Sequence, residues 1–81
     1  MEPSRNRFSI GSEIRIQPLD ELARFAREWK HHNPMTPAQM AYAGSSAVVS
    51  DVGFYHGGDP LYRLQGVPGV WHEQCLESPS T

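Results

Sequence analysis

The 81-residue sequence has a single cysteine, Cys75, so no internal disulfide can brace it. A chain this short buries only about 60% of the surface its unfolded form exposes, and without a crosslink its core must be compact or shared with a second molecule. No run of about 18 apolar residues is present, the length a membrane-spanning helix needs. Excess charge is scarce too. Seven Lys and Arg against nine Asp and Glu leave a formal net charge of −2, which gives no long-range attraction to phosphate backbones. Residues 1–7 are polar and lead into no apolar stretch, so a secretory signal is not expected. Together with the lone thiol, this sets the expectation of a reducing, cytoplasmic location, with neither a membrane nor a nucleic acid as partner. Repeats and low-complexity segments are also missing, and the length allows one domain.

What is there falls into three zones. Residues 1–7 and 78–81 are polar and carry Pro and Ser, so they read as tails around a domain of residues 8–77. Phe8, Ile10, Ile14 and Ile16 lie two or four apart around Gly11-Ser12, which predicts a strand with a bend near Gly11. From Pro18 the period changes. Leu19, Leu22, Ala23, Ala26 and Trp29 recur at three- and four-residue steps, predicting an amphipathic helix over 18–31 that packs over an open end of the core. Asp20 and Glu21 suit its positive end, and Asn33-Pro34 stops it. Thr36-Pro37-Ala38-Gln39 then carries the residues of a capping box, predicting a short helix over 37–43 that ends at Gly44.

The last third is β in character. Residues 47–55 are rich in Val and aromatics and residues 61–65 form a shorter run, with the turn formers His56-Gly57-Gly58-Asp59-Pro60 between them; this predicts a hairpin. Val67-Pro68-Gly69-Val70 has the Pro and Gly of a type II turn and predicts a further strand from Val70 to His72, with one closing turn over 73–77. Neither face of the 47–55 strand is wholly polar, so it should run through the middle of a small sheet that curls round a core. The expected class is mostly β with inserted helices (α+β): a small barrel with one amphipathic and one short helix after the first strand.

The order Phe8-x-x-Gly11-x-x-Ile14-Arg15, a helical insertion, Ala43-Gly44, Val48-Val49-x-x-Val52, a Gly-containing loop, Leu61-Tyr62-Arg63-Leu64 and Val70-Trp71 resembles SH3-like β-barrels. Within these it is most similar to the barrel at the C-terminal end of the nitrile hydratase β subunit and its accessory proteins. The resemblance spans most of residues 8–73, and the helix over 37–43 departs from it. It implies a barrel that docks against a partner. That family holds its catalytic metal on the other subunit behind a Cys-rich motif absent here, so no metal ligand or catalytic residue carries over. In its brevity the chain is also similar to small stand-alone bacterial proteins of unknown role.

Several groups could carry chemistry. His31, His32, His56, His72 and Cys75 are residues of zinc-binding type, and His72-x-x-Cys75 has ligand-like spacing, but adjacent His31 and His32 point apart on a helix. A Cys75 nucleophile would need His72 as base and Glu73 or Asp51 to orient it; packing explains the same residues more simply. The glycines of the 56–60 loop could present N–H groups to an anion, although turn geometry accounts for them and the lysine of a phosphate loop is missing. Arg24, Arg27 and Lys30 are interleaved with Asp20, Glu21 and Glu28, a pattern of local ion pairs rather than an RNA-binding stripe.

Three Phe, three Tyr and two Trp are more rings than so small an interior readily encloses, so some should meet another molecule. Tyr55, which enters a turn, and Trp71, which leaves one, are the expected pair; the alternative is that both close off the core. The expected function is therefore a non-catalytic module that binds a protein or peptide, or a second copy of itself, through Tyr55, His56, Asp59 and Trp71, without metal or cofactor. The rivals are a small metal or thiol enzyme centred on His72 and Cys75, and a barrel that stacks single-stranded RNA on its rings.

Overall fold

Pro18 and Pro37 open the two helices of this chain, and Gly66 turns it between two of its strands. The computed structural model describes residues 7–30, 33–55 and 58–79. In order these form β1 (Glu13–Ile16), α1 (Leu19–Glu28), α2 (Pro37–Met40), β2 (Ser46–Tyr55), β3 (Asp59–Leu64), β4 (Val67–His72), a 3-10 turn (Glu73–Cys75) and β5 (Leu76–Glu77). The domain is mostly β, with five antiparallel strands in the order β4-β3-β2-β1-β5 and two helices inserted between β1 and β2.

β2 is long enough to serve two ladders. Its first residues pair with β1, Ile14 opposite Ala47, and the remainder pairs with β3, Val52 opposite Tyr62. One extra β2 residue between Val49 and Asp51 forms a bulge where it passes from one partner to the other. A row of the partly buried Val52 and the buried Tyr62 and Trp71 crosses β2, β3 and β4 in register. It joins Ile14, Ile16, Val49, Leu64 and Leu76 in one core, which Leu22 of α1 enters from the helical side. Each such aliphatic side chain contributes about 1.5–3 kcal/mol on burial.

Several boundaries differ from the sequence-based expectation. α1 stops at Glu28, because Trp29 turns to extended backbone and its ring stacks on Phe25 at 5.4 Å and lies tilted against His72 at 4.7 Å. Leu19, expected on the packing stripe, is instead exposed, since α1 contributes only Leu22 fully to the core. α2 is one helical turn, 37–40, fixed by the capping box that Thr36 and Gln39 complete.

The turn into β4 is also displaced. Leu64 pairs with Val67, so Gln65-Gly66 is the two-residue connection, and Pro68-Gly69 lies inside β4 as a surplus between its pairings at Val67 and Trp71. Gly69 does have the positive φ of 89° expected of it, but in a bulge on an edge strand, where proline is tolerated. Gln39 explains the bulge. Its amide Nε2 donates to the Val70 carbonyl at 2.9 Å, and a Cβ on Gly69 would come within 2.7 Å of that nitrogen. On the other side of the sheet the β2–β3 connection is shorter than expected, since Tyr55 already pairs with Asp59 and Pro60 lies in β3.

Candidate functional site

Six of the ring-bearing side chains are drawn into the fold, leaving Phe54 (39% exposed) and Tyr55 (40%) at the far end of β2 as the exposed aromatics. Trp71, expected at the surface beside Tyr55, is fully buried instead. It sits opposite Tyr62 in the core row, and its indole Nε1–H donates to the Pro68 carbonyl at 3.2 Å. The bulge supplies that acceptor, so the ring needs no outside partner. Trp71 is therefore removed from the surface patch. Asp59 lies directly across the ladder from Tyr55 and is exposed, so this part of the expected constellation is brought together. His56 falls outside the described residues.

Alternation along the regular part of the β2–β3 ladder places Asp51, Gly53 and Tyr55 on its outer face, with Arg63, Leu61 and Asp59 opposite them in that order. Gly53 has no side chain to cover Leu61, and a hollow of about 250 Å³ opens there, bounded by Asp51, Phe54, Arg63 and Val70. A second hollow of about 290 Å³ adjoins Asp59 and is lined by Trp29, Pro60, His72, Glu73 and Gln74. Gly53 was missed as a site residue in the sequence. Its signal was a glycine inside a Val- and aromatic-rich strand, a pattern associated with close approach of another group.

The groups that suggested catalysis or metal binding are engaged otherwise. His72 is buried between Phe25, 5.0 Å away, and Trp29, and its Nε2 lies 2.9 Å from the Asn33 carbonyl; since a carbonyl only accepts, Nε2 carries the hydrogen. Cys75 is buried in the core, and burial pushes its thiol up to about 12, which keeps it protonated near neutral pH. His31 and His32, like His56, lie outside the described residues. Among the described residues no cluster of three or more His, Cys, Asp or Glu could hold a metal ion, and no helix is long and apolar enough to cross a membrane.

Glu73 has a structural task. Its Oε2 accepts the Tyr62 hydroxyl at 2.6 Å and the Arg7 backbone N–H at 2.7 Å, tying the 3-10 turn to β3 and to the chain entering Phe8. Compared with protein-family models, with curated proteins and with solved structures, the chain matches none of them.

Proposed function

We propose that the chain is a non-catalytic interaction module of the SH3-like barrel type, which binds a protein segment on the outer face of β2 and β3. Support for the barrel comes from a strand order that ends β2-β1-β5, a β2 shared between two ladders, and a 3-10 turn immediately before the last strand. The likeness to the nitrile hydratase β-subunit barrel belongs to the same proposal and carries the same implication, docking on a partner. A buried, protonated Cys75 accords with a reducing cytoplasm.

The observation that carries the reading is the hollow over Gly53, with the exposed Phe54 in its lining and the exposed Tyr55 in the next row of the outer face. A partner side chain seated there would bury apolar surface at roughly 25 cal/mol per Å², before the cost of association is subtracted. Asp51, Arg63 and Asp59 leave this face of the ladder with a net negative charge, which disfavours a phosphate backbone as the ligand. For the thiol enzyme the chemistry is poor, because its nucleophile is protonated and its base is hydrogen-bonded to Asn33.

Selection of random dodecapeptides on immobilised protein tests the proposal. Sequences are expected to enrich on the unmodified chain and to lose binding to Tyr55→Ala and to Gly53→Arg, both surface changes that leave the core intact. Absence of enrichment over an unrelated immobilised domain, in a chain that also stays monomeric, overturns it.

A further inference from the structure

The outer face of the β2–β3 ladder is made of three rows, and each row holds two unlike members. Asp51 faces Arg63, Gly53 faces Leu61, and Tyr55 faces Asp59. The rows are an acid with a base, a gap with an apolar side chain, and a phenol with a carboxylate. An opposite-charge pair directly across a ladder is close enough to form an ion pair. Here it does not. Asp51 turns Oδ1 back to accept its neighbour's N–H, at Val52, over 3.0 Å, and among the described residues Arg63 has neither an ion pair nor a side-chain hydrogen bond. Both charges stand at the rim of the hollow, facing solvent.

A two-fold axis parallel to the strands and midway between β2 and β3 exchanges the two strands while keeping each row level. Each residue of β2 then meets, on the other copy, the residue that faces it on its own ladder. We propose that the partner on this face is a second copy of the chain, packed about such an axis, with Asp51 against Arg63 of the second copy and Leu61 filling the gap over its Gly53. The inference rests on the interaction-module reading and names its partner. The same operation sets Tyr55 over Asp59 of the second copy. Sheets packed face to face lie about 10 Å apart, a separation that Asp and Arg span together and that an unfilled Gly53 would leave void. A dimer of this kind is isologous: the patch complements itself and the contact closes at two copies.

Sedimentation equilibrium of the full chain tests this with charge reversals. The unmodified chain is expected to move from 9.1 kDa towards twice that mass as concentration rises. Asp51→Arg sets two guanidinium groups against each other at both symmetric positions, and Arg63→Asp sets two carboxylates; each should weaken association by at least about a hundredfold. Mixing the two single variants in equal amounts restores complementarity at both positions, and dimers containing one of each should form. Gly53→Val, which fills the gap without touching a charge, should also weaken self-association. A chain that stays monomeric to millimolar concentration overturns the second copy as partner, and peptide selection then decides the broader reading separately. Dimers unaffected by either reversal, or single variants whose mixture does not associate, overturn it equally.

Discussion

Tyr62 donates its hydroxyl to Glu73 across 2.6 Å while the same oxygen accepts the backbone N–H of Phe8 at 3.3 Å. One phenol from β3 thus fastens both the 3-10 turn before β5 and the chain that leads into β1. The Phe8 ring closes the arrangement edge-on against Tyr62 at 5.7 Å.

Removing that hydroxyl with Tyr62→Phe leaves a carboxylate and a buried N–H each short of a partner, so it should destabilise the fold by about 1.5–3 kcal/mol. Urea denaturation measures this, and a change below about 0.5 kcal/mol would show the bond to be incidental. The pH dependence follows from the same group. Burial, then the Glu73 hydrogen bond, push the phenol from 10.0 up to about 12. The folded state holds its proton more tightly than the unfolded state, so the contribution is complete below pH 10 and is lost as pH rises towards 12. Tyr62→Phe should flatten that part of the profile.

The capping box at α2 makes a second, graded prediction. Gln39 N–H donates to the Thr36 hydroxyl at 3.2 Å, and Gln39 Oε1 accepts the Thr36 N–H at 3.0 Å. Thr36→Ala removes a cap and should cost about 1 kcal/mol. Gln39→Ala should cost more, about 1–3 kcal/mol, because the same side chain also satisfies the Val70 carbonyl beside the β4 bulge. Equal losses in thermal melts of the two variants would show that the link to β4 carries little.

These bonds also mark how far the sequence was legible. Thr36-x-x-Gln39 could be read as a cap because the box is local, and its register needs nothing beyond four residues. The reach of Gln39 to Val70 spans 31 positions and could not. For the same reason Pro68-Gly69 read as a turn: the local φ preference was right for Gly69, but Gln65-Gly66 had already turned the chain. Val and aromatic content between turn formers located β2, and three-to-four spacing located the Leu22 face of α1, since that spacing records burial directly. At the site, Tyr55 and Asp59 were visible as turn-flanking residues. Trp71 was misplaced because its exposure depends on the Pro68 carbonyl supplied by the bulge, and the hollow over Gly53 depends on cross-strand register.

Two strand glycines should respond in opposite ways. A Cβ on Gly53 would meet nothing within 4 Å, and no positive φ requires glycine there. Gly53→Val should therefore stabilise the fold by about 0.5–1 kcal/mol through β propensity and lower chain entropy in the unfolded state. Gly69 has φ 89° and abuts Gln39, so Gly69→Ala should destabilise by about 1–3 kcal/mol and break the Gln39 bond to Val70. Chemical denaturation of both variants at concentrations where the chain is monomeric checks the pair; a destabilised Gly53→Val there would mean that the open face is covered in the isolated chain.

Cys75 gives the sharpest contrast between a packed thiol and a working one. Burial pushes it from 9.0 up to about 12, and among the described residues no cation or hydrogen bond offsets the loss of solvation. In the native protein, alkylation by iodoacetamide near pH 7.5 should proceed only through opening of the core, with a rate that rises in urea in proportion to the unfolded fraction. The thiol's contribution to stability is complete below pH 9 and declines towards pH 12, because the unfolded chain releases that proton first. Cys75→Ala should leave the fold and the association of the outer face unchanged, at a cost of about 1–2 kcal/mol for the small cavity. Alkylation in the folded state at the rate of a free thiolate would instead place Cys75 in reach of solvent and a base, and would restore the thiol enzyme over the binding module.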